Sequence, residues 1–228
     1  MRRMLTLSAA LLLLAGCAAR TPQPEPIEPQ TTRAPRSDEI NIGYPVFPEY
    51  SGFVNVAIKD AAYRALDWYD LDFFEPEQRL TLDISHTIKW KTSEFISVAF
   101  EGMGYVEGTA HPNNLFYTLN LDIGTGEPVR LADRVTVDSA FVNALLKAAQ
   151  DTLEPELYEA FRVNFDNKSD LLQYLADADS NTSGFYSYFT PAAVGISLSV
   201  PHALGDHIEI ELPTESVILI ENNNTDPQ

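Results

Sequence analysis

Residues 79–91 read RLTLDISHTIKWK, and their alternation decides the fold class. Leu80, Leu82, Ile84, His86, Ile88 and Trp90 fall on one side of an extended chain, and Thr81, Asp83, Ser85, Thr87 and Lys89 on the other. A period of two predicts a half-buried strand with one face against a core. Two similar runs follow. SEFISVAFEGMGYVEG (93–108) places Ile96, Val98 and Phe100 on one face, with glycines that allow a bend or bulge. LFYTLNLDI (115–123) aligns Leu115, Tyr117, Leu119, Leu121 and Ile123 before the tight turn GTGEP and a short VRL segment.

The period changes on either side of these strands. Upstream, INIGYPVF (40–47) reads as a short first strand. FVNVAIKDAAYRALDWY (53–69) then spaces Val54, Ile58, Ala61, Ala65 and Trp68 as the buried face of a helix. Downstream, Asp138 and Ser139 are good N-cap residues for a helix over AFVNALLKAAQDTL (140–153). ELYEAFRVNFDNKSDLLQYLADAD (156–179) predicts one or two shorter helices. Strands close the sequence at GFYSYFT, AVGISLSV and DHIEIELP, with SVILI (216–220) as a fourth. Regular βα alternation is missing. The expectation is an α+β fold, mainly antiparallel sheet packed against two or three helices.

The first twenty residues, MRRMLTLSAALLLLAGCAAR, combine two arginines, an apolar stretch too short to span a bilayer, and a small-residue site ending at Cys17. This resembles the bacterial lipoprotein signal, which implies cleavage before Cys17 and acylation of that residue. The expected address is the extracytoplasmic face of a membrane, held by acyl chains alone. Cys17 is the single cysteine, so no intrachain disulfide is possible. Residues 17–38 carry prolines at 22, 24, 26, 29 and 35 and predict a disordered tether. The folded domain is expected over 39–221, in an N-terminal part (39–110) and a C-terminal part (111–221), with a frayed tail over 222–228.

The formal charge is −18, and removing residues 1–16 with Arg2 and Arg3 moves it to −20. Such a field repels nucleic acid and favours basic partners, although it also serves simply to keep an exported protein soluble.

Familiar catalytic patterns are missing from the sequence. It has no GxSxG, no glycine-rich phosphate loop and no HExxH. His86, on the apolar side of its strand, reads as a half-buried imidazole with a hydrogen-bond partner. His202, Asp206 and His207 in PHALGDH lie close enough to flank a metal, but no third ligand type stands at a fitting spacing. Asp177, Asp179 and Asn181 begin a calcium-loop pattern that fails at Thr182, where glycine belongs, and at Tyr188, where glutamate belongs. Glu209 and Glu211 share one side of a strand without features that mark an acid–base pair. The sequons at Asn167, Asn181 and Asn223 carry little meaning beside a bacterial export signal. Neither metal nor cofactor is expected.

GTAHPNNLFYTLNLDIGTGEPVRLAD (108–133) resembles the signature of the RsiV-type extracytoplasmic domain. That family occurs in a lysozyme-sensing anti-sigma factor, ahead of the catalytic domain in PdaC-type peptidoglycan deacetylases, and in many bacterial lipoproteins. The residues carrying the likeness are Gly108, Ala110, His111, Pro112, Asn113, Asn120, Asp122, Thr125, Gly126, Leu131 and Asp133; Thr109 stands where a second glycine is common. The closing GFYSYFTPAAVGISLSVPHALGDHIEIELP and the opening NIGYPVF match as well. No segment here matches the sigma-binding region or the deacetylase domain, so neither signalling nor deacetylation carries over.

The resemblance implies binding rather than turnover. The expected partner is a basic protein such as lysozyme; the alternative is a cell-wall glycan stacked on exposed aromatics such as Tyr105, Tyr186 or Tyr188, and an uncharacterised hydrolase is the third reading. The candidate contact residues are His111, Asn113, Asn114 and Tyr105. GTAHPNN is also a well-made turn, in which Pro112 holds His111 extended and an asparagine caps free backbone groups.

Overall fold

The computed structural model describes residues 39–50, 52–69, 78–180 and 183–220, and residues 30–33 as backbone. Cys17, the leader, the tail and Asn181 lie outside the described residues. The elements run β1 (Gln30–Arg33), β2 (Glu39–Ile42), α1 (Gly52–Tyr63), β3 (Leu80–Lys91), β4 (Phe95–Val106) and β5 (Asn113–Asp122). They continue as α2 (Leu131–Arg134), α3 (Ser139–Thr152), α4 (Pro155–Asn164), α5 (Lys168–Ala176), β6 (Phe185–Phe189), β7 (Ala193–Ser199) and β8 (His207–Pro213). The fold is α+β, with one sheet ordered β1-β2-β3-β4-β5 and another ordered β6-β7-β8.

The long strands pair as their alternation requires. Ile84 faces Gly102, His86 faces Phe100, and Phe100 faces Tyr117. That face packs on α1 through Val54, Ile58 and Ala61 and on the 3-10 turn after it through Ala65, all buried. Burying a valine or isoleucine side chain such as Val54 or Ile58 stabilises the fold by about 1.5–3 kcal/mol. The alternation of β3 breaks at a bulge between Ile88 and Trp90. Ile88 is consequently left exposed, while Trp90 packs against the other core.

That second core lies between the β6–β8 sheet and helices α3–α5, built on Phe141, Leu145, Phe161, Leu171, Ile196 and Ile210 among others. Asp138 caps α3 by accepting from Ala140 N at 2.8 Å and Phe141 N at 2.9 Å, worth about 1 kcal/mol. Asn167 caps α5 in the same way.

The sheets join through buried polar groups. Ser97 Oγ donates to Asn120 Oδ1 at 2.7 Å, Asn120 Nδ2 donates to the Ser187 carbonyl at 2.9 Å, and Phe189 N donates back to Ser97 Oγ at 3.0 Å. Because β5 is an edge strand, its outer side needs cover. Arg64 donates to the Thr118 carbonyl, and Val129 N donates to the Asn120 carbonyl at 2.8 Å.

Several expectations change. Gln30–Arg33, inside the stretch expected to be a tether, pairs antiparallel with β2; it is the proline-free run between Pro29 and Pro35, with two β-branched threonines. β2 pairs parallel with β3. The SVILI segment forms no strand: Leu219 makes one isolated bridge to Val135. Among the described residues the α-helices number five, counting the short turn at residues 131–134 and the separate helix that Asn167 starts.

Candidate functional site

Two turns that the sequence marks separately meet in space. Gly108, at φ +91°, begins the turn after β4, and Pro112 ends it. The partner turn between β7 and β8 needs two successive left-handed residues, Gly205 (φ +98°) and Asp206 (φ +71°), a conformation open to glycine and tolerated by aspartate. The Asp206 carboxylate accepts Asn114 N at 2.7 Å and lies 2.9 and 3.0 Å from His202 Nδ1. Asn114 Nδ2 donates to the Gly205 carbonyl at 3.4 Å. The His111 and His202 rings stack with centroids 3.5 Å apart and planes 2° off parallel.

Beside this junction runs a cleft of about 390 Å³. Asn113, Asn114, Asp206 and His207 supply polar groups on its walls; Trp68, Phe116 and Tyr186 supply aromatic surface. Trp68 ends the 3-10 turn that continues α1 and is 42% exposed. Its ring rests edge-on against Tyr117, at 5.5 Å between centroids, and near Tyr186, at 6.4 Å. The arrangement holds a large apolar ring open to solvent while its neighbours stay buried.

His207 Nδ1 is buried here without a hydrogen-bond partner, and the buried Tyr69 hydroxyl lies against the Asn113 side chain. Tyr69 follows Trp68, and its hydroxyl packs beside Gly104, the residue paired with Asn113. Burial pushes its pKa up, so it stays a donor. His207 stacks on Phe116 at 5.0 Å, and its Nε2 lies 3.8 Å from Glu209 Oε1.

Of the residues read from the sequence, the structure gathers His111, Asn113 and Asn114 at this junction. Tyr105 is not with them; it pairs with Thr81 on β3 and does not line the cleft. Tyr186 and Tyr188 are buried, at 6% and 2% exposure, and are not free stacking platforms. Tyr188 donates to Glu211 Oε1 at 3.0 Å beneath the Lys89 ammonium, 4.3 Å from its ring centre. His86 is half-buried, and burial lowers its pKa. In PHALGDH, weighed above as able to flank a metal, the two imidazoles face different carboxylates, Asp206 and Glu209. Trp68 and Tyr69 are missed altogether, because helical spacing assigns Trp68 to the buried face.

The calcium-loop reading also meets a different arrangement. Asp177 pairs with Arg130 at 2.9 Å and accepts from Ser180 Oγ at 3.0 Å. Asp179 is half-buried and left-handed (φ +66°), and accepts from Leu131 N at 2.8 Å, Ser187 N at 2.7 Å and Ser187 Oγ at 2.6 Å. It joins α2 to β6. Among the described residues no group of three or more His, Cys, Asp or Glu side chains is placed to hold a metal ion.

The signature residues are mostly scaffold. Asn120 holds the sheet junction, Asp122 Oδ1 accepts Thr125 N at 2.8 Å, Leu131 N feeds Asp179, and Asp133 Oδ2 accepts Arg130 N at 2.8 Å.

No family model matches the chain. No curated protein matches it in sequence. Among solved structures it is similar to a DUF3298 family protein from Pseudomonas aeruginosa PAO1, with a TM-score of 0.52 and 15% identity over 86% of this chain and 95% of that one. The chain shares that fold. A member of the DUF3298 family from Bacteroides fragilis NCTC 9343 also matches, with a TM-score of 0.49 and 15% identity over 85% and 91% of the two chains. Among the described residues no helix is long and apolar enough to cross a membrane.

Proposed function

We propose that this chain is a lipid-anchored extracytoplasmic binding protein of the RsiV-like kind, whose cleft takes a cell-wall glycan and which performs no chemistry of its own. One observation carries the reading: the exposed Trp68 and the two asparagines Asn113 and Asn114 line a single cleft. A sugar ring has an apolar C–H face and a rim of hydroxyls. An indole suits the first, and planar amides that both donate and accept suit the second. Acylation at Cys17 would keep the domain at the membrane, close to wall polymer.

Retention on purified sacculi tests this, using residues 18–228, which contain every described element. The expected result is retention that survives physiological salt and is lost in Trp68→Ala. Equal retention of that variant rules out the cleft.

A second reading is favoured by composition: 33 acidic against 15 basic residues suit a basic partner such as lysozyme, drawn in by long-range attraction. That capture weakens steeply between low and physiological salt, whereas stacking on Trp68 does not.

A further inference from the structure

We infer that a second pocket, which Arg134 and Trp90 line, binds a fatty-acid anion, with Arg134 holding the carboxylate. The inference is independent of the glycan reading, because this pocket shares no lining residue with the Trp68 cleft. Its volume is about 400 Å³, within the range of small-molecule sites.

Arg134 ends α2 and is half-buried. Its guanidinium carbon lies 4.3 Å from the centre of the Phe95 ring and 5.5 Å from that of Phe189. The rings attract the charge but offer no oxygen to its N–H groups. Among the described residues those N–H groups have no hydrogen-bond acceptor, and no carboxylate lies within ion-pair distance. The guanidinium nitrogens are also not among the buried polar atoms that lack a partner, so they keep surface that a ligand reaches. Burial works against the charge and pushes its pKa down. A half-buried cation without an acceptor is costly, and an incoming anion recovers that cost.

The walls restrict what the anion is. Trp90, Phe189, Pro191, Val194, Leu219 and Ile220 make them mostly apolar. Their hydroxyls are spent: Thr190 Oγ1 donates to the Ala193 carbonyl and Thr214 Oγ1 to the Ala192 carbonyl, both at 3.3 Å. A phosphate brings more oxygens and charge than one guanidinium satisfies, whereas a carboxylate matches its planar fork. Glu94, exposed at the same pocket, and the Asp122 charge nearby further disfavour a dianion. The apolar body has a path as well. Ile220 N donates to the Arg134 carbonyl at 2.8 Å and pins the end of the chain's described part beside the arginine. Ile218, Leu219 and Ile220 are 62%, 49% and 43% exposed, an apolar row along which an alkyl chain lies.

Trp90 reports on this pocket once Trp68→Phe removes the other tryptophan. The test titrates that variant of residues 18–228 with decanoate, below its micelle concentration, and with decanol. The expected result is a saturable change in Trp90 emission, with decanoate bound at least about ten-fold more tightly than decanol. Arg134→Met keeps an unbranched apolar stem and should erase that difference; Arg134→Lys, which keeps the charge without the fork, should retain part of it. Equal affinity for acid and alcohol overturns the inference, as does a lack of binding. A preference for decanoate that survives Arg134→Met, in a variant shown by its melting curve to be folded, overturns it too. If Arg134→Met does not fold, the comparison of acid with alcohol on the parent protein decides alone.

Discussion

Asn114 donates its backbone N–H to the Asp206 carboxylate at 2.7 Å, a bond between positions 92 apart in the chain. It ties the turn that opens β5 to the turn that opens β8, and the same carboxylate holds His202. One side chain thus fixes the rim of the cleft.

Replacing that side chain should loosen both turns. Asp206→Ala leaves Asn114 N–H and His202 without their acceptor, a loss of about 1–3 kcal/mol, and puts alanine at φ +71°, which costs about 1–2 kcal/mol more. Asp206→Asn tolerates the left-handed backbone and keeps a neutral acceptor, so its loss should be smaller. Urea denaturation of the two variants checks the order; equal stabilities would show that the bond is dispensable.

Asp179, held among donors at the junction of α2 and β6, should make stability fall as pH rises. Burial raises its pKa above the ordinary 3.8 despite the donors around it. Its folded form therefore holds a proton that the unfolded chain has released. The associated stability is present in full below the ordinary value and is lost as pH climbs through the folded value, by at most about 1.4 kcal/mol per pH unit. Glu49, Asp177 and Glu209 are shifted downward and act in the opposite sense. They are common to wild type and Asp179→Asn, so the difference between the two stability curves isolates Asp179. A flat difference from pH 3 upward would contradict the account.

Gly195 on β7 has no room for a side chain. A Cβ there would lie 2.1 Å from the Tyr188 ring. Gly195→Ala should cost about 1–3 kcal/mol by overpacking, and a smaller partner, Tyr188→Leu, should return part of that loss. Chemical denaturation across the double-mutant cycle measures the coupling; additive losses would mean that the two sites do not share the strain.

The strands and the first sheet's apolar face are legible in the sequence because alternation is a local property, as Leu80 to Ile84 and Leu115 to Leu121 show. The bulge after Ile88 is not, since one extra residue shifts the register without changing composition. The site is legible only in halves. Proline and asparagine mark the turn at 111–114, and glycine and aspartate mark the turn at 205–206, but nothing local says that they touch. Trp68 illustrates the remaining gap: its spacing predicts burial, and only the end of α1 at the cleft leaves it open. Tyr186 and Tyr188 fail in the opposite direction, because aromatic residues on a strand covered on both faces look the same in sequence as those on an open one.

The most direct measurement follows Trp68 itself. The chain has two tryptophans, and Trp90 packs against the helical core, so Trp90→Phe leaves one reporter in the cleft. Titrating that variant with soluble glycan fragments released from sacculi should shift and saturate the Trp68 emission in step with binding. Binding of the fragments with no change in that emission would place the ligand elsewhere and contradict the account.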